Sequence, residues 1–170
     1  MFGEQKMRER IEFALSLSRA DQTEVVVIGE TAQLTRFANS SIHQNVAKED
    51  VDFRVRVVVG KKIGIATTDD LTDEALRDAV EAATTAARYQ QDNPHFVSLP
   101  SPQPVPHVDG FVDATAACPP SKRAEAVKAI CLPARNQGLV ASGAFATTAY
   151  EYAVGNSLGC LLYTSPSPRD

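Results

Sequence analysis

The chain has 170 residues, 44% hydrophobic and 22% charged, a balance that suits a globular fold with a sizeable core. A net charge of −4 and a pI near 5.4, with no clustered run of Lys or Arg, give no electrostatic reason to expect nucleic acid or an anionic membrane as partner. No apolar run approaches the roughly 20 residues of a membrane span, the polar start lacks the apolar stretch of a secretory signal, and Cys118, Cys131 and Cys160 form no C-x-x-C pair, so reduced thiols and a cytoplasmic location are expected.

Residues from about Lys6 to Ala20 place Met7, Ile11, Ala14 and Leu15 on one helical face, which predicts an amphipathic helix. The β-branched run Glu24–Ile28 is apolar on both faces and predicts a central or doubly covered strand. Gly29-Glu30-Thr31 reads as a turn. Two alternating segments, Gln33–Ala38 and Ser41–Val46, flank Asn39-Ser40 and predict a tight hairpin, because Asn tolerates positive φ.

Val51, Phe53, Val55, Val57 and Val59 share one face of the clearest predicted strand, opposite Asp52, Arg54 and Arg56. Gly60-Lys61-Lys62 then turns into Ile63–Thr67. Thr72 is placed to cap a second helix, with Asp73 and Glu74 at its positive end and Leu71 and Leu76 set for a hydrophobic staple. Its stripe of Leu76, Ala79, Val80, Ala83, Ala86 and Ala87 predicts close packing on a sheet.

From Gln90 to Pro120, seven prolines exclude a long helix or central strand and predict an extended linker. Ser121 is placed to cap a third helix, Lys122 to about Asn136, with Ala124, Val127, Ala129, Ile130 and Cys131 as its apolar positions. Pro133 should kink it or end it early, and Gly138 should stop it. Leu139 to Val154 reads as a long strand entering a turn at Gly155–Gly159. Beyond it, Pro166 and Pro168 are expected to forbid regular pairing, and residues 160–170 read as a tail foreign to the domain.

The expected fold class is therefore α+β. An antiparallel five-stranded meander flanked by two helices occupies 1–91, a Pro-rich linker 92–119, and the truncated start of a second α+β domain 120–159.

Two stretches carry a family resemblance. Leu34–Val46 with Val55–Gly64, followed by the capped Ala-rich helix, and Tyr150–Gly159 resemble the TldD/PmbA family in their combined order. That resemblance implies the N-terminal, non-catalytic part of a zinc metallopeptidase. Such a protein encloses its active site in a homodimer, or in a heterodimer with a related and catalytically silent subunit, and acts on peptides or unfolded proteins. The family's His-Glu-x-x-x-His motif, in which two histidines one helical turn apart share the metal and the glutamate activates water, is absent here. His43, His95 and His107 are not followed by Glu. No catalytic or metal-binding residue is assigned, and zinc is expected of the full-length family only.

Arg36, Phe37 and Asn39 are the candidates for a peptide channel or subunit interface. The plainer reading makes Arg36 an exposed strand residue beside a core Phe37. His43 reads as a solvated hairpin residue, and His95 and His107, near Asp92 and Asp109, read as linker. The alternatives to a peptidase subunit are a silent PmbA-like partner or a stand-alone interaction module without chemistry.

Overall fold

The computed structural model describes residues 2–105 and 110–164. The predictions made for Pro106, His107 and Asp109, and for the tail from Ser165 with its two prolines, lie outside them.

Helix α1 spans Glu4–Leu17 and buries Met7, Ile11 and Ala14. Strand β1, Gln22–Ala38, and strand β2, Ser41–Val59, form one long antiparallel hairpin, to which β3, Lys62–Thr68, adds on the far side of β2. Helix α2 spans Asp73–Tyr89, and the Thr72 side chain accepts from the Ala75 N–H as a cap should. A short helix α3, Asp113–Ala116, precedes α4, Pro120–Asn136. Strand β4, Gly143–Asn156, and strand β5, Leu161–Thr164, complete an antiparallel sheet ordered β3-β2-β1-β4-β5. The Glu24–Ile28 run sits on the central strand, as its double-faced apolar character requires.

Several expectations need correction. Gly29-Glu30-Thr31 is not a turn but lies inside β1, and the segments predicted separately at Ser41–Val46 and Val51–Val59 form one unbroken strand. Gly29 pairs with Val51 on one side and Glu151 on the other, so ladder bonds on both flanks override the local turn preference. The α+β class and the five antiparallel strands stand, but the first 91 residues supply three long strands, and β4 and β5 supply the rest. The strand expected to open a second unit pairs with β1 from Glu24 to Phe37, so the segments on either side of the Pro-rich stretch share one sheet. Regular pairing also continues past residue 160, where Leu161–Thr164 pairs with Tyr152–Gly155.

Helix α4 starts at Pro120 rather than behind a Ser121 cap, consistent with the suitability of Pro for a first helical position. It also runs through Pro133 to Asn136, since a proline this close to the C-terminal end costs little of the ladder.

Odd-numbered residues of β1 point to one face of the sheet, and the three long helices pack there. In the near half, α1 and α2 cover Val25, Val27, Phe53, Val55 and Val57, all fully buried. Each such side chain contributes roughly 1.5–3 kcal/mol by leaving water. The alanine stripe brings α2 very close to β3. A Cβ at Gly64 would overlap the backbone of Ala83 and Ala87. In the far half, α4 lies over the hairpin end and β4, around Phe37, Val127 and Cys131.

Candidate functional site

The far half holds the residues singled out from sequence. Asn39 and Ser40 have φ of 51° and 56°, the two left-handed residues of a two-residue hairpin turn. The last turn of α4 and the loop after it clamp this turn. Ser40 N–H donates to the Ala141 carbonyl at 2.8 Å, Ala141 N–H donates to Ser40 Oγ at 3.0 Å, and Arg135 donates to the Ser40 carbonyl at 2.5 Å.

Phe37 is buried against Val127, Cys131, Ala141 and Phe145, and Gly143 leaves room for its ring, which a Cβ would meet at 2.9 Å. Arg36 is exposed on the opposite face, donating to Gln44 Oε1, and Asn39 is exposed at the turn. The structure thus separates the three candidates: one core residue, one surface cation and one turn former.

Sequence reasoning missed Arg123, which is 1% exposed. Its guanidinium donates to Gln33 Oε1 at 2.5 Å, Thr35 Oγ1 at 3.2 Å, Asn45 Oδ1 at 3.3 Å and the Cys118 carbonyl at 2.6 Å. All four acceptors are neutral. A buried charge is costly unless its donors are satisfied, and here several neutral oxygens supply the solvation. The signal was the spacing of Arg123, Val127 and Cys131, which puts the arginine on the buried stripe of α4. Ile130, expected in that stripe, is 52% exposed.

A second buried charge sits between the halves. Glu151, 1% exposed, accepts from the N–H groups of Phe2 and Gly3 at 2.6 and 2.9 Å and from the Tyr163 hydroxyl at 2.7 Å. It ties the start of α1 and strand β5 to β4. Burial, then this bond to a carboxylate, raises the Tyr163 pKa well above its ordinary value. Tyr150 is raised in the same direction, by desolvation and the nearby Glu30.

His43, the extra residue of a β-bulge opposite Arg36 and Phe37, and His95, in the Pro-rich stretch, are both exposed. Among the described residues no three His, Cys, Asp or Glu side chains converge to hold a metal. The described residues do not fit a zinc centre, so no chemical step is assigned to one here.

Residues 23–87, covering most of β1 through α2, match the family model for PmbA/TldA metallopeptidase domain 1. This stretch of the chain is similar to the first domain of the PmbA/TldD family. A metalloprotease PmbA homolog of Haemophilus influenzae is 32% identical over 88 residues, covering 51% of this chain and 20% of that protein.

The fold recurs in the crystal structure of TldE from Thermococcus kodakarensis, with a TM-score of 0.82 at 21% identity over 94% of this chain and 36% of that one. It recurs again in a protein described as a modulator of DNA gyrase from Bacteroides thetaiotaomicron, with a TM-score of 0.79 at 12% identity over 97% and 39%. The chain therefore spans well under half the length of these relatives. The matched region takes in the hairpin, β3 and α2, while β4 and β5 extend its sheet and α4 packs on it.

Proposed function

We propose that this chain is the non-catalytic N-terminal portion of a PmbA/TldD-like zinc metallopeptidase subunit acting on peptides or unfolded proteins. The single observation that supports the reading is the match of residues 23–87 to the family model for PmbA/TldA metallopeptidase domain 1. In this reading residues 1–91 wall a peptide chamber, 120–159 begin the region that follows, and zinc is held by residues outside this chain. The working unit is a homodimer or a heterodimer with a related subunit. A cytoplasmic location fits the three free cysteines, and no described helix is long and apolar enough to cross a membrane.

The test is metal analysis and peptidase assay of the purified chain. Neither tight zinc nor hydrolysis of an unfolded protein is expected from these residues alone. Stoichiometric zinc surviving dialysis, or chelator-sensitive hydrolysis, would overturn the assignment of the metal site to residues elsewhere.

A further inference from the structure

The three long helices cover the face of the sheet that carries the odd-numbered residues of β1. Residues paired across strands share a face, so the even-numbered residues of β1 and their partners point the other way. That second face has two lanes. Along β1, β4 and β5 it is apolar, with Val26, Ile28, Tyr152 and Val154 partly exposed and Leu162 38% exposed. Along β2 it is ionic, with Asp50, Asp52, Arg54 and Arg56 at alternate positions. The Pro-rich stretch borders the face at the Gln22 end, where Leu99 N–H donates to Gln22 Oε1 and Asn156 Nδ2 donates to the Pro100 carbonyl.

Reading the four charges backwards exchanges every sign. Consider a two-fold axis that lies between two such faces and crosses the strands at Phe53. It sets Asp52 against Arg54 of a second copy and Asp50 against Arg56, and makes each contact twice. Phe53 pairs with Val27, and Val27 with Ala153. The same axis therefore lays Val26 over Ile28 and Val154 over Tyr152, apolar lane on apolar lane. Glu24 then meets Glu30, but Arg56 is paired with the first and the Tyr150 hydroxyl donates to the second. Arg54 and Asp52 already pair within the chain, yet their side chains are 50% and 42% exposed. Such a surface pair is weak and leaves both groups open to a partner.

We propose that this second sheet face is an interface between two copies of the chain, related by that axis. A charge order that is its own complement under rotation is satisfied by a second copy, whereas any other surface would have to carry the matching order independently. From Glu24 to Ala32 and about four strands across, the face offers roughly 600 Å² per copy, the lower end for a specific interface.

The inference rests on the dimeric working unit proposed above and gives it a surface. Association is read without hydrolysis, so the dimer face and the peptidase reading can fail separately. In sedimentation equilibrium the 170-residue chain should rise from 18.3 kDa toward twice that mass with concentration. Asp52→Arg alone and Arg54→Asp alone each put like charges across the axis, and each should weaken the dimer at least tenfold. Mixing these two variants should restore association, because two cations of one then meet two anions of the other. Exchanging both residues in one chain, Asp52→Arg with Arg54→Asp, should restore the homodimer.

Circular dichroism checks that each variant keeps the native fold. A chain that stays monomeric at every concentration overturns the proposal. So do single variants that dimerise as well as the parent, or a mixture that associates no more tightly than either variant alone.

Discussion

The two halves of this sheet are held against their helices by different chemistry. In the near half, α1 and α2 meet the valine ladder of β1 and β2 through fully buried apolar side chains, closing until Gly64 is the only residue type that fits under α2. In the far half, α4 is seated by a small apolar cluster and by four hydrogen bonds radiating from one buried arginine. Apolar burial is non-directional and sums over many residues, whereas a hydrogen-bonded cation concentrates stability in one place. The near half should therefore set global stability, and the far half should open first.

The largest effects should come from the near half. Phe53→Ala removes a fully buried aromatic ring and should cost about 4 kcal/mol. Gly64→Ala drives a methyl into the α2 backbone and should cost about 3 kcal/mol. In urea unfolding both should shift the whole transition. A separate, early transition confined to α2 would break the contrast between the halves.

Arg123→Met should cost about 2 kcal/mol, because relief of the buried charge is outweighed by the loss of the donor to Gln33, Thr35 and the Cys118 carbonyl, while Asn45 Oδ1 still accepts from the Thr35 hydroxyl. Arg123→Lys should not restore stability, since an ammonium cannot span acceptors arranged for a planar fork. Amide exchange should show faster opening of α4 and the hairpin end, with β2–β3 unchanged. Equal loss of protection in both halves would mean that they open as one unit.

How much of this was legible depended on how local each cause is. The Val51–Val59 alternation, the Asn39-Ser40 turn and the Thr72 cap are fixed by neighbours in sequence, and all three appear in the structure. Gly29-Glu30-Thr31 misled because two long-range ladders outweigh a tripeptide's preference. Arg123 hid in the run Lys122-Arg123-Ala124-Glu125, which reads as a solvated face, while its side-chain acceptors lie 78 to 90 residues away. Glu151 was illegible for the same reason, since its partners are the first residues of the chain and a strand once expected not to form.

The junction between the halves should respond to alkali. Tyr163 donates to a carboxylate that can only accept, so ionising it would set two anions side by side. Its folded pKa is raised above the unfolded value near 10, so its contribution is complete below that pH and is lost as pH rises through the folded pKa. Tyr163→Phe should flatten that alkaline loss in thermal melts. An unchanged profile would show that the bond to Glu151 carries no linkage.

The smallest effect separates backbone strain from hydrogen bonding at the hairpin tip. Ser40 holds φ of 56°, where a side chain is disfavoured by about 1 kcal/mol relative to glycine, and its Oγ accepts from Ala141 N–H. Ser40→Ala keeps the strain and loses the acceptor, so it should cost about 1 kcal/mol. Ser40→Gly loses the same acceptor but releases the strain, so the two terms should nearly cancel. A glycine variant about 1 kcal/mol more stable than the alanine variant would place the strain in the turn itself. Equal stabilities would mean that the clamp from Arg135 and Ala141 imposes this turn whatever residue occupies it, and that the far half is stiffer than its polar seating suggests.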